Sequence, residues 1–98
     1  MDARAVISVA DYVNLTNHAL RTIPHDGMVI EGEVADFKVS QGKWVNFDLK
    51  DEKADVKMSC FMTVFALRVP LQSGMRVQVT GYSKVFERFG KFTFNVSD

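Results

Sequence analysis

The sequence predicts a mainly β domain in which five strongly bent strands form a closed or nearly closed barrel behind one N-terminal helix. Three observations predict this fold class. Helical periodicity of the apolar residues is confined to the first quarter of the chain and ends at Pro24. Beyond that proline, apolar and polar residues alternate, as in half-buried strands. Glycines interrupt or separate the alternating segments, as bends and turns require. We therefore expect a single domain over residues 1–98.

The composition is that of one globular domain with a modest core. The chain has 98 residues, of which 47% are hydrophobic and 24% are charged, and its net charge is zero. The charge is unevenly distributed, because residues 1–36 hold two basic and six acidic residues whereas residues 37–98 hold ten basic and six acidic residues. This asymmetry hints at a local anion site in the second part of the chain.

Residues 8–23 are predicted to form the helix. Ser8 and Asp11 have the spacing of a capping box, and the sequence Asp26-Gly27 after Pro24 is a turn signal. One helical face collects the residues Val9, Tyr12, Val13, Thr16, Ala19, Leu20 and Ile23.

Residues 28–97 are predicted to form the barrel. The predicted strands are residues 28–38, 44–50, 54–62, 75–86 and 91–97, with a turn at Ser40-Gln41-Gly42 and a short helix at 63–69 that Pro70 ends. Gly32 inside the first strand predicts a bulge or sharp bend. Five short strands with a helix between the third and fourth are typical of the oligonucleotide/oligosaccharide-binding barrel, the OB-fold.

The alternation assigns residues to the two faces of the sheet. The residues expected to point inward are Val45, Phe47, Leu49, Val56, Met58, Cys60, Met62, Phe92 and Phe94. The residues expected to point outward are Trp44, Asn46, Asp48, Lys57, Ser59 and Phe61. A tryptophan and a phenylalanine on the outward face need an explanation other than core packing.

Nucleic-acid binding is the function that this outward face predicts. The outward face of strands two and three, with the loops beside it, is the binding surface of OB-folds. Aromatic rings can stack with unpaired bases while nearby cations follow the phosphates. The predicted nucleic-acid-binding residues are Lys38, Lys43, Trp44, Asn46, Lys57, Phe61, Arg88, Phe89 and Lys91.

Several of these residues also have structural interpretations. A register slip of one residue would bury Trp44, Phe61 could pack under the 63–69 helix, and Phe89 could cover one end of the barrel. Lys57 is expected between Trp44 and Phe61 across the sheet, although it could simply be solvated. Phe37 and Phe86 are not included in the predicted site.

The residues do not predict catalysis. His18 and His25 are not near any carboxylate pair that the sequence places, and Cys60 has apolar neighbours that indicate an inert buried thiol. No zinc spacing or phosphate-binding glycine loop is present, so we expect no cofactor. An acidic run that we expect to be a solvated turn comprises Asp48, Asp51, Glu52 and Asp55.

The sequence predicts a cytoplasmic location. The single Cys60 cannot form an internal disulfide, which favours a reducing compartment. No apolar run approaches the length that spans a membrane, and no leader resembles a signal peptide.

Four segments in their order and spacing carry a family resemblance: ISVADYVNLTNHAL, VIEGEVADFK, GKWVNFDLKDEKADVKMSCFM and GMRVQVTGYSKVFERFGKFTF. They resemble the opening helix, the first three strands and the closing strand pair of the N-terminal OB domain of the exodeoxyribonuclease VII large subunit. The resemblance implies that this domain holds single-stranded DNA while other parts of a longer hydrolase cut it. It also implies a small helical subunit as a partner, bound through regions outside this chain.

We expect either a domain of such a nuclease or a shorter, standalone relative. Two alternatives remain open. The chain could be a standalone single-strand-binding or RNA-binding OB module, because its second strand also resembles the anticodon-binding domains of class II aminoacyl-tRNA synthetases. It could instead be a protein-interaction OB domain whose exposed rings form an interface.

Overall fold

The computed structural model describes residues 6–67, 70–86 and 88–97. It contains one α-helix, six strands and two short 3-10 turns in this part of the chain. The elements in order are α1 (Val9–Leu20), a 3-10 turn (His25–Gly27), β1 (Ile30–Ser40), β2 (Trp44–Lys50), β3 (Lys57–Thr63), a 3-10 turn (Val64–Ala66), β4 (Arg76–Val79), β5 (Gly81–Phe86) and β6 (Lys91–Val96). None of the helices in these residues is long and apolar enough to cross a membrane.

The strands form one sheet in the order β4-β1-β2-β3-β6-β5. The two end strands, β4 and β5, are separated along the chain by Thr80 alone, so the sheet curls back on itself. The pair β3–β6 is parallel and the other pairs are antiparallel. This arrangement confirms the predicted fold class, a mainly β OB-fold barrel with an N-terminal helix.

The predicted fourth strand is divided into β4 and β5, which raises the number of strands from five to six. β4 pairs with β1, whereas β5 pairs with β6. A Cβ atom at Gly81 would collide with the backbone carbonyl oxygen of Asn95, so β5 can approach β6 this closely only with glycine at that position.

β1 bends and changes partners along its length. Its first residues pair with β4 and its later residues pair with β2. The register shifts between Ala35 and Lys38, where Asp36 has a left-handed φ of 52°. The predicted bulge therefore occurs at Asp36 and not at Gly32. Gly32 instead permits a close approach, because a Cβ there would lie 2.8 Å from Leu49 Cγ and from the Lys50 carbonyl oxygen.

The core lies inside the curled sheet. Its buried residues are Val34, Val45, Phe47, Leu49, Cys60, Met62, Val79, Phe94 and Val96, with Met58 partly buried beside them. Two inward predictions are wrong. Val56 is 64% exposed because β3 begins only at Lys57. Phe92 is 44% exposed because the β3–β6 ladder begins at Phe94, which leaves the outer part of the β5–β6 hairpin without a third strand.

The buried contact of helix α1 is polar, although Val13, Thr16 and Leu20 of its apolar face are partly buried. The predicted cap is present, since the Ser8 hydroxyl accepts from the Asp11 amide at 3.0 Å. Val9 and Tyr12 are exposed, however, and the buried residue of the helix is Asn17. Its side chain accepts from the Val85 amide at 2.7 Å and donates to the Val85 carbonyl at 3.0 Å. Asn17 thus satisfies the free backbone edge of β5.

The predicted helix at 63–69 is reduced to one 3-10 turn at Val64–Ala66. Thr63 belongs to β3, and the predicted residues 68–69 lie outside the described residues. The predicted α1 is also longer than the observed helix, which ends at Leu20 four residues before Pro24.

Candidate nucleic-acid interface

Trp44 and Phe61 form the centre of the candidate interface. β2 and β3 pair so that Trp44 lies opposite Thr63 and Phe61 lies opposite Asn46, which makes the two rings diagonal neighbours on the outward face. The ring centroids are 5.5 Å apart and the planes are inclined by 28°. The burial of Val45 on the other face fixes this register, so the slip that would bury Trp44 does not occur. Trp44 and Phe61 are each half-buried.

A third ring, that of Phe86, extends the pair. The Phe61 and Phe86 centroids are 6.0 Å apart with the planes at 80°, an edge-to-face contact. The sequence prediction omitted Phe86, although the alternation along β5 indicates its face. Ser83 is buried, so Ser83 and Val85 point inward and Phe86 points outward. We call Trp44, Phe61 and Phe86 the aromatic row.

Ammonium groups lie at both ends of the aromatic row. The Nζ atom of Lys43 is 5.0 Å from the centroid of the Trp44 ring, and that of Lys84 is 5.6 Å from the centroid of the Phe86 ring. Both distances are within the range of cation–π attraction. Lys43 was predicted in the site. Lys84 was missed because the prediction considered strands two and three and the loops beside them, whereas Lys84 lies on β5.

An open groove of about 600 Å³ runs along Phe61 and Phe86 of the aromatic row, and Trp44 lies outside its lining. The lining residues are Asp36, Lys38, Asn46, Phe47, Asp48, Ser59, Cys60, Phe61, Phe86, Phe89, Lys91 and Thr93. The structure therefore brings five predicted site residues into one groove: Lys38, Asn46, Phe61, Phe89 and Lys91. The β1 bulge contributes Asp36 and the β6 strand contributes Thr93, and neither position could be placed here without knowledge of the strand pairing.

The position predicted for Lys57 is wrong. Lys57 pairs with Lys50 at the opposite end of β3 from Thr63, so it does not lie between Trp44 and Phe61. Its Nζ atom is 3.8 Å from Asp48 Oδ2. The other oxygen of Asp48 accepts from the Ser59 hydroxyl at 3.4 Å.

The β5–β6 hairpin places Phe89 at the rim of the groove. The Gly90 amide donates to the Phe86 carbonyl at 2.8 Å, and Gly90 has a φ of 60°, which the left-handed turn requires. Phe89 is 78% exposed and lines the groove, whereas the neighbouring Arg88 is exposed without lining it. An exposed phenylalanine beside a cation at a loop tip is free to contact a ligand in the groove.

The remaining reactive groups lie away from solvent or apart from one another. Burial, together with the charge of Asp48, raises the pKa of the Cys60 thiol to about 12. His25 lies against the barrel, with Nε2 3.4 Å from the Ser83 hydroxyl. Within residues 6–67, 70–86 and 88–97, no three His, Cys, Asp or Glu residues are grouped as metal ligands would be.

Comparison with known proteins identifies relatives of this chain. Two curated relatives are exodeoxyribonuclease 7 large subunits. The protein of Lactobacillus johnsonii is 28% identical over 96% of this chain, and that of Ruminiclostridium cellulolyticum is 31% identical over 94% of it. The chain spans 21% and 23% of the length of these proteins. The resemblance inferred from the sequence motifs is thus confirmed.

A solved structure supports the same architecture. The N-terminal domain of the PriB protein from Thermoanaerobacter tencongensis, described as dimeric, superposes with a TM-score of 0.57 over 72% of this chain and 89% of that domain. The two sequences are 20% identical, so this likeness concerns the fold. A family model described as an OB-fold nucleic acid binding domain matches residues 7–98. The chain therefore belongs to the family of OB-fold nucleic acid binding domains.

Proposed function

We propose that this chain holds single-stranded DNA for an exodeoxyribonuclease VII-like nuclease that degrades single strands to oligonucleotides. The observation that carries the proposal is the aromatic row, in which Trp44 stacks on Phe61 while Phe61 and Phe86 line one open groove. Unpaired bases can stack on such rings, with each base contributing about 1–3 kcal/mol. The bases of a duplex are stacked on each other and cannot use the rings, so the groove favours single strands.

The charges around the groove orient the strand. Lys38 and Lys91 line it and can follow the phosphates, whereas the carboxylates of Asp36 and Asp48 repel them. Lys38 on β1 and Lys91 on β6 flank β2 and β3, so the phosphates can contact a lysine at either side of the groove. The base edges then turn toward the Asp48 carboxylate and Asn46 on β2. Base amino groups can donate to these oxygens.

The rings are already partly occupied by their own neighbours. One face of Trp44 is stacked on Phe61, and the ammonium group of Lys43 lies over the Trp44 ring. A base that stacks on Trp44 therefore displaces Lys43, which then becomes available to a phosphate. This exchange replaces one favourable cation–π contact with stacking and a charge-assisted hydrogen bond.

The nuclease itself would require more chain than this one. Because the chain spans about a fifth of its large-subunit relatives, we assign cutting and contact with the small subunit to regions outside these residues. The proposed role is cytoplasmic. The isolated chain is expected to bind single strands without degrading them.

Binding of labelled oligonucleotides to the isolated chain tests the proposal. Fluorescence anisotropy should show binding to single-stranded DNA and weaker binding to the corresponding duplex at the same salt concentration. Phe86→Ala should weaken single-strand binding by about 5- to 150-fold, which corresponds to one stacked base. Tyr12→Ala is the matched control, because Tyr12 is an exposed aromatic residue on α1 that does not line the groove.

Competition with RNA separates the proposal from its nearest alternative. A preference for single-stranded RNA of the same sequence would assign the groove to RNA binding. Equal affinity for duplex and single strands, or identical binding by the wild-type chain and Phe86→Ala, would contradict the stacking mechanism.

A further inference from the structure

A second hollow lies beyond the aromatic row, between α1 and β5. Its volume is about 380 Å³. The lining residues are Asn14, Asn17, Arg21, Tyr82, Ser83 and Lys84. Among these described residues there are two cations and no carboxylate, whereas two aspartates line the groove of the aromatic row. The hollow therefore favours an anion more than the groove does.

Strand pairing places this hollow in line with the aromatic row. Phe61 and Tyr82 are both paired with Asn95, one from β3 and the other from β5. The two residues therefore lie in one row across the sheet, about two strand spacings or roughly 10 Å apart. Lys84 joins the two regions, because it lines the hollow while its ammonium group lies over the ring of Phe86.

Tyr82 supplies an aromatic surface at the hollow. Its side chain is 52% exposed on the outward face of β5, where alternation also places Lys84 and Phe86. Tyr82 does not belong to the hydrophobic core that the described residues form. An exposed tyrosine between two cations can stack with a base while the cations contact its phosphates.

The helix holds the hollow in a fixed shape. Asn17 is bonded to both backbone groups of Val85, which fixes α1 along the edge of β5. Arg21 follows Asn17 by four residues and so lies on the same side of the helix. The Nη2 atom of Arg21 is 3.4 Å from His18 Nδ1, which limits the conformations of the guanidinium group.

We propose that the hollow is a second subsite for the same nucleic-acid strand. A base stacks on Tyr82, and Arg21 and Lys84 bind the phosphates on either side of it. The strand thus crosses the sheet from Trp44 over Phe61 and Phe86 to the N-terminal helix. This inference rests on the proposed function, because the subsite prolongs the track that the aromatic row begins.

Oligonucleotides of increasing length test the second subsite. Oligothymidylates from about 4 to about 16 nucleotides cover the range of OB-fold site sizes. Tyr82→Ala and Arg21→Gln should each weaken binding of the long oligonucleotides, by about 5- to 150-fold for the lost stacking of Tyr82. Both variants should bind the shortest oligonucleotides, which reach only the aromatic row, within about twofold of the wild-type affinity. Circular dichroism verifies that both variants are folded.

The control substitution lies on α1, outside the lining of both the groove and the hollow. Tyr12→Ala, which changes the other tyrosine of the chain, should leave binding unchanged at every length. Unchanged binding of long oligonucleotides by Tyr82→Ala, or an equal loss for short and long ones, would overturn the second subsite. If the wild-type chain binds no single strand of any length, the proposed function itself fails. The two failures are therefore distinguishable.

Discussion

Cys60 illustrates how burial and a neighbouring charge act on one side chain. Cys60 is 1% exposed, and the Asp48 carboxylate adds a repulsion that disfavours the thiolate. Both effects raise the pKa of the thiol, to about 12. Since the thiolate is the reactive form, the folded protein should contain almost none of it at neutral pH.

We predict that Cys60 does not react with a chromogenic disulfide reagent at mildly alkaline pH while the protein is folded. In urea the same thiol should react at the rate of an ordinary exposed cysteine, because unfolding restores its usual pKa. The measurement is the absorbance of the released thiolate as a function of time. A rapid reaction of the native protein would show that Cys60 is accessible from the groove and would contradict its assignment to the core.

At the scale of elements, one amide side chain makes the buried contact between α1 and the barrel. The exposed Val9 and Tyr12 contribute no packing to the sheet, whereas Asn17 satisfies both backbone groups of Val85. A buried hydrogen-bonding group that loses its partner is costly, because it has already been removed from water.

Asn17→Ala is therefore predicted to lower the free energy of unfolding by about 1–3 kcal/mol, since it leaves the amide and carbonyl of Val85 without partners. Asn14→Ala, at an exposed residue of the same helix, should change it by less than about 0.5 kcal/mol. Urea denaturation followed by circular dichroism measures both values. Equal effects of the two substitutions would mean that the amide contact does not hold the helix.

The same elements show what the sequence could and could not predict. The bounds of β2 were predicted without error, because Val45, Phe47 and Leu49 alternate strictly with outward residues. The contact of Asn17 with β5 was not predicted, because periodicity counts apolar residues and Asn17 is polar. The division of the fourth strand depends on the approach of Gly81 to Asn95, and local pattern contains no information about that contact.

The candidate site was predicted where it depends on local alternation. Trp44 and Phe61 could be assigned to the outward face from their own strands alone. Phe86 joins them only through β6, whose parallel pairing with β3 connects residues far apart in the sequence. Lys57 was misplaced because its position relative to Trp44 depends on the register between β2 and β3, which the sequence does not specify. The binding roles of all these residues remain predictions.

For the whole molecule, the net charge of zero makes the local arrangement of the lysines decisive. Long-range attraction to a polyanion is weak for such a protein, so the salt dependence of binding should report only the lysines and arginines that contact phosphates. If three to five cations do so, log K should fall against log salt with a slope of roughly −2 to −3.5 for a single strand.

Lys38→Gln and Lys91→Gln should each make this slope shallower by about 0.7–1, because each removes one phosphate contact in the groove. Lys53→Gln removes an equal charge from the exposed loop between β2 and β3 and should leave the slope unchanged. Anisotropy titrations at several salt concentrations provide the slopes. Equal slopes for all three variants would show that the strand does not follow this groove.

The fluorescence of Trp44 tests most directly whether bases stack on the aromatic row. Trp44 is the only tryptophan of the chain, and it lies half-buried between Phe61 and the ammonium group of Lys43. Titration with a single-stranded oligonucleotide should quench its emission, with a midpoint that matches the anisotropy of the same complex. Trp44→Ala should weaken that binding by about 1–3 kcal/mol. Saturable binding that leaves the Trp44 emission unchanged would contradict the proposal that this surface holds the strand.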